Sequence, residues 1–330
     1  MNYRNLKDTS IAEVGLGTWQ LGNEEWGSVS EEEAFSILQA YVDAGGNFID
    51  TADIYGSGRS EKLIGTFLKE GDIPHDMHVA TKLGRREDND YGWPQNFSYD
   101  VMKKHVEDSL EHLGVSQLFL DQFHCIPKEQ LEEGEVFDHF RKLQDEGLIQ
   151  HWGASVESTE EALICLEQEG LASLQIIYNI FRQHVADELF EKAKKQDVAL
   201  IIRVPLASGL LTGKFDENTT FPEKDHRNFN ANGEAFNAGE TFSGIPFEKG
   251  VELARHVNTL LPHNFHMPQW SIRWILDHPE VTTVIPGASK KEQVISNTEA
   301  SSRDPLPQKT HDLLRKLYDE DIRQYIRGKV

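Results

Sequence analysis

Short apolar runs alternate with amphipathic, helix-like stretches along most of this 330-residue chain, and no other feature restricts its fold as much. The runs at 13–18, 47–51, 78–82, 118–124, 149–155, 174–179, 199–204 and 282–285 read as strands. Between them, Ser30 and Glu33 have the spacing of a capping box, and Phe35, Leu38, Tyr41 and Val42 follow at helical intervals. Ser158 and Glu161 repeat that pattern ahead of Ala162, Leu163 and Leu166. The stretch Tyr99–Leu113 runs into Gly114, a natural helix stop. Eight strand–helix units in this length predict an α/β fold, a (β/α)8 TIM barrel, as a single domain over residues 1–330.

An open doubly wound sheet is the alternative, and it requires a Gly-x-Gly-x-x-Gly turn after an early strand. Gly15-Leu16-Gly17 and Gly56-Ser57-Gly58 both lack a third glycine in register, so any dinucleotide is held in another way. Three segments interrupt the alternation. Residues 4–11 read as an N-terminal hairpin closing the barrel bottom, and 308–327 as an extra C-terminal helix outside it. Residues 215–247 form a long polar loop that nevertheless carries six phenylalanines, which argues against full disorder and leaves a lid or a partly ordered surface loop.

The net charge is −22, with 38% hydrophobic residues. An acidic surface repels polyanions, so neither nucleic acid nor an anionic membrane is an expected partner. Two cysteines, Cys125 and Cys165, exclude a disulfide framework and favour a reducing compartment. The N-terminus has no apolar targeting core, and no run approaches the ~18 residues of a membrane span. The expected location is cytoplasmic.

Three strands end in groups that handle protons. Asp50 ends the second, Lys82 the third and His124 the fourth, and Tyr55 lies five residues beyond Asp50. Barrel active sites lie at the C-terminal ends of strands. A phenol of pKa ~10 is a poor acid at neutral pH unless a cation stabilises its anion. Lys82 is expected to do so, with Asp50 holding Lys82 charged and His124 orienting a carbonyl oxygen. Taken singly, each has an ordinary reading: a turn cap, a rim aromatic, a solvated charge, a core histidine. Together on three adjacent strand ends they point to catalysis. Cys125 follows His124, and strand alternation would turn it away into the core. Trp152 could face either side of its strand.

The segments FIDTADIYGSGRSEKLIG, VATKLG and LFLDQFHC, in this order, resemble the aldo-keto reductase superfamily, its bacterial members and potassium-channel beta-subunit-like reductases especially. The resemblance implies a barrel that reduces carbonyls with NADPH and without a metal. It implies a catalytic tetrad of Asp50, Tyr55, Lys82 and His124, with Tyr55 as general acid in reduction and base in oxidation. Gly17, Thr18, Trp19 and Asp50 would line the cofactor site, and Ser155 and Gln175 would hold the carboxamide. The family often has Asn after that serine; Val156 stands here. Arg203 replaces a frequent aromatic under the nicotinamide, where it would stack or pair with a rim carboxylate. Val204, Pro205, Leu206, Ser208, Gly209, Leu210 and Lys214 correspond to the pyrophosphate loop. Gly287, Ser289, Gln293 and Asn297 correspond to the adenosine end, with Lys290 and Lys291 available for a 2′-phosphate.

Trp19, Trp26, Tyr55, Trp93 and His124 are the expected substrate contacts, with Trp26 in the loop 22–27 and Tyr91 and Trp93 in the loop 85–97. The substrate expected is a small carbonyl compound, and the protein a monomer or weak homo-oligomer. NADH stays open as cofactor. Two other functions stay open as well: an NADPH-binding regulatory or sensor subunit with slow turnover, and NAD-dependent oxidation of a polyol or sugar.

Overall fold

A computed structural model describes residues 1–22, 29–71, 73–86 and 97–329. Eight parallel strands form one curled sheet in the order of the sequence. They are β3 (Leu16–Gly17), β4 (Phe48–Asp50), β5 (His78–Leu83), β6 (Leu118–His124), β7 (Ile149–Ser155), β8 (Leu171–Ile177), β9 (Ala199–Arg203) and β10 (Val281–Val284). The sheet closes on itself through parallel bridges from Val14 to Val284 and from Gly17 to Gly287. At that seam a Cβ on Gly17 would stand 2.9 Å from the Ile285 carbonyl oxygen, so the close approach needs glycine. Helices between successive strands cover the outside, as the alternation predicts. No helix among the described residues is long and apolar enough to cross a membrane.

The hairpin of β1 (Tyr3–Leu6) and β2 (Thr9–Ala12) puts Leu6 and Ile11 into the lower end of the barrel, in one cluster with Phe48, Leu120, Ile201 and Ile285. This plugs the end opposite the site. Both capping boxes form: Ser30 with Glu33, and Ser158 with Glu161. Trp152 faces outward, its ring 5.9 Å from Phe140 and 5.8 Å from Phe137 on the neighbouring helix Glu135–Asp145.

Two strands differ from expectation. The first is in the ladder only over Leu16–Gly17, because the seam pairs through isolated bridges there. The sixth is Leu171–Ile177 rather than 174–179, since Asn179 has left the ladder to pair with Arg182 across a tight turn. The C-terminal helix Gln308–Leu317 packs Leu314 and Leu317 into the core and continues as irregular turns to Tyr325.

The polar excursion 215–247 is tied down. The rings of Phe215, Phe221, Phe242 and Phe247 cluster with centroids 5.1–6.0 Å apart. The Asn230 carboxamide oxygen accepts from the backbone of Ala235 and Phe236, both at 2.9 Å. From the C-terminal segment, the Arg327 guanidinium donates to the carbonyls of Gly244 and Ala231 and to Asn232.

Candidate active site

β4, β5 and β6 are neighbours, so Asp50, Lys82 and His124 converge at one end of the barrel. Lys82, fully buried, donates from Nζ to Asp50 Oδ2 at 2.7 Å and to the Thr51 carbonyl at 2.6 Å. The other oxygen of Asp50 accepts from Gln175 Nε2 at 2.7 Å. The residue expected to grip a carboxamide thus also locks the aspartate. Lys82 Nζ is 5.2 Å from the Tyr55 ring centre, and the Tyr55 and His124 rings meet edge-on at 5.8 Å. All four side chains expected to be catalytic are brought together.

Tyr55 is carried on a turn in which Gly56, Ser57 and Gly58 all have positive φ. A Cβ on Gly56 would lie 2.0 Å from the Gly22 carbonyl oxygen, so this glycine lets the turn sit against the first barrel loop. Arg59 fastens the same contact, donating to the carbonyls of Leu21 and Val29, each at 2.7 Å.

Burial pushes the Tyr55 phenol up, and the opposing pull of Lys82 does not offset it, so its pKa lies above the ordinary value. The sequence-based expectation of a phenol brought down by Lys82 is therefore corrected: burial wins. Burial presses Lys82 down, but Asp50 and Tyr55 more than restore it. Burial drives His124 well below the ordinary histidine value, aided by Arg85, Lys82 and Arg203, so the ring is neutral. Its buried Nδ1 has no hydrogen-bond partner among the described residues.

Asp50, Tyr55 and His124 open into one cavity of about 1220 Å³, with Lys82 buried behind them. Of the cofactor residues expected from sequence, Gly17, Thr18, Trp19, Asp50, Ser155, Gln175, Arg203, Val204, Pro205, Leu206, Ser208, Gly209, Lys214, Gly287, Ser289 and Gln293 line it. Leu210 and Asn297 do not: both are buried, Leu210 in the core. Of the expected substrate contacts, Trp19, Tyr55 and His124 line the cavity, while Trp26 and Trp93 lie outside the described residues.

Arg203 ends β9 and pairs through Nη1 with Glu240, while Nη2 donates to the Val156 carbonyl at 2.8 Å. Cys125 departs from expectation. Its φ of 50° breaks strand alternation, so it lines the cavity with His124 instead of entering the core. Its sulfur lies 3.7 Å from Ser155 Oγ and 3.8 Å from Arg203 Nη2, and burial pushes its thiol pKa up. Cys125, Glu157 and Glu240 bring three metal-type ligand atoms within 4.8 Å of one another, but Arg203 pairs with Glu240, and Arg85 and Lys329 with Glu157.

Sequence reasoning missed Gln20, His226 and Glu240, which line the cavity, whereas Phe236, which lines it too, is one of the six phenylalanines singled out in the polar loop. Trp19, His226 and Phe236 make an aromatic wall, with Trp19 4.9 Å from His226 and 6.3 Å from Phe236. The only signal for His226 and Glu240 was that an aromatic-bearing polar loop of this length tends to be functional.

Comparison with known proteins agrees with this fold. The model of the Aldo/keto reductase family matches residues 13–319. Aldo-keto reductase YhdN of Bacillus subtilis is 29% identical over 301 residues, 91% of this chain and 88% of that protein. A probable voltage-gated potassium channel subunit beta of Oryza sativa is 28% identical, with 93% of each chain covered. Among solved structures, aldo-keto reductase AKR11C1 of Bacillus halodurans in its holo form superposes with a TM-score of 0.77 at 26% identity, covering 96% of both chains. Glycerol dehydrogenase AKR11B4 of Gluconobacter oxydans gives 0.78 at 27% identity, covering 100% of this chain and 97% of that one. The chain belongs to the aldo/keto reductase family. It is an oxidoreductase of a family whose members use nicotinamide cofactors.

Proposed function

We propose that this protein reduces aldehydes or activated ketones to alcohols, using NADPH in preference to NADH. The observation that carries the reading is the buried Asp50–Lys82 pair set against the Tyr55 ring, with neutral His124 beside it, next to one cavity. The residues present fit a nicotinamide dinucleotide. The cavity of about 1220 Å³ exceeds the roughly 300–1,000 Å³ of ordinary ligand pockets and runs from Tyr55 to Gln293. Gln20 Oε1 is buried at its seam without a partner among the described residues. Lys214 supplies a cation, and Ser289 with exposed Lys290 and Lys291 offers hydrogen bonds and charge to a 2′-phosphate.

When bound, the dinucleotide supplies the hydride. Tyr55 donates its phenolic proton to the carbonyl oxygen, and Lys82 stabilises the phenolate that this leaves. Asp50, fixed by Lys82 and Gln175, keeps the lysine in place. His124 hydrogen-bonds the carbonyl oxygen as a neutral ring. The wall of Trp19, His226 and Phe236 favours apolar substrates over polar ones.

The similarity to a glycerol dehydrogenase makes polyol oxidation the second reading. The raised Tyr55 pKa favours reduction at neutral pH, because oxidation begins from the phenolate. The similarity to a channel beta subunit keeps a regulatory role as a third. We further infer a cytoplasmic protein, a monomer or weak homo-oligomer, with no nucleic-acid or membrane partner.

Fluorescence titration with NADPH and NADH, followed by a panel of aldehydes, ketones and polyols, tests the reading. Tighter NADPH binding and turnover of carbonyls are expected. Tighter NADH binding with turnover confined to polyols would replace it with the second reading. Negligible turnover together with a stoichiometric protein partner would replace it with the third.

A further inference from the structure

Arg203 lies inside the cavity with 8% of its surface exposed. Its charge is answered from far along the chain, by Glu240 on the excursion. Glu240 is itself fixed, because Ser208 Oγ donates to its carbonyl at 3.0 Å and accepts from Phe242 N at 3.1 Å. Glu157, the other nearby carboxylate, is committed to Arg85 at 3.3 Å and Lys329 at 3.1 Å. The Arg203–Glu240 pair shares the cavity with Tyr55, Ser155 and Gln175. Behind burial, Lys82 and Asp50, both of its charges reach Tyr55, Glu240 raising the phenol and Arg203 lowering it.

We propose that Glu240, by neutralising Arg203, sets the relative affinity of this site for the oxidised and reduced forms of the nicotinamide. This rests on the reading of the cavity as a nicotinamide site. The oxidised ring carries a positive charge and the reduced ring is neutral. A lone guanidinium beside it would therefore repel only the oxidised form, and a buried charge is weakly screened. With Glu240 present the pair has little net charge, and both forms are admitted. Glu240 is a positioning residue: it acts through Arg203.

The test uses the full chain as wild type, Glu240→Gln, Arg203→Gln and the double variant. NADPH binding is followed by its own fluorescence and NADP+ binding by quenching of tryptophan emission. Glu240→Gln should weaken NADP+ about tenfold more than NADPH, the scale of one uncompensated charge in a partly dry site. Arg203→Gln, which leaves Glu240 alone, should move the ratio the other way, toward NADP+. It tests the proposal even if Glu240→Gln fails to fold, which thermal unfolding without cofactor would reveal. The double variant should return the ratio to within about twofold of wild type. Equal weakening of both forms, or an unchanged ratio in Arg203→Gln, would overturn the proposal and leave Glu240 as a tether for the excursion. Wild type that binds neither form would instead overturn the nicotinamide reading itself.

Discussion

At the scale of single residues, burial and charge pull against each other throughout the site. Burial lifts Tyr55 and Lys82 only partly counters it, so the acid stays protonated through neutral pH. Reduction is therefore expected to hold its rate up to about pH 9, whereas oxidation, which needs the phenolate, should climb about tenfold per pH unit over the same range. Neutral His124 should add no inflection near pH ~6.5, the ordinary histidine value. Profiles of kcat/KM in both directions check this; an inflection near neutrality in reduction would contradict it. Lys82→Met should carry Tyr55 still higher and suppress oxidation at pH 9 by about a hundredfold. The four side chains were legible in the sequence because each stands at or just after the end of a recognisable apolar run. Cys125 was misjudged because strand parity fails at a residue with φ of 50°. Glu240 was missed because its partner, Arg203, is 37 residues away, and nothing local marks the pairing.

At the scale of elements, the short turn after β4 matters most, since it carries Tyr55 against the first barrel loop. Gly56→Ala must fit a Cβ where the Gly22 carbonyl stands and hold a φ of 61°. A stability loss of about 1–3 kcal/mol is expected, with at least a tenfold fall in turnover as Tyr55 shifts. Thermal unfolding and steady-state kinetics read both effects, and a wild-type-like variant would show that the turn tolerates a side chain. Strand periods gave β6 and β7 their full extent, because the two pair with each other over most of their length and each has a second partner along its middle or end. They overran at the seam and at Asn179, where the ladder ends through pairings between distant or turning segments. The order within 215–247 was only partly legible. Its phenylalanines hinted at packing, but Arg327, which fastens it, comes from the far end of the chain.

At the scale of the whole molecule, the barrel buries acids as well as apolar side chains. Burial raises Asp121 to about 8, with neighbouring Glu61 adding to the shift. The unfolded chain would release that proton near pH ~4, so between about pH 4 and 8 the folded state holds more protons and loses stability as pH rises. Asp121→Asn should thus gain ~1 kcal/mol or more at pH 7 and nothing at pH 4, as read from unfolding curves at the two values. A gain of equal size at both would point to packing rather than protonation. The same closed barrel gathers Tyr55, the buried Asp50–Lys82 pair and a long cavity at a single end, and the account stands on Tyr55 being the acid there. The most direct measurement is carbonyl reduction by Tyr55→Phe alongside NADPH titration of the same variant. The account predicts turnover lowered by roughly a thousandfold or more, with NADPH affinity within about twofold of wild type. Turnover near the wild-type rate would contradict it.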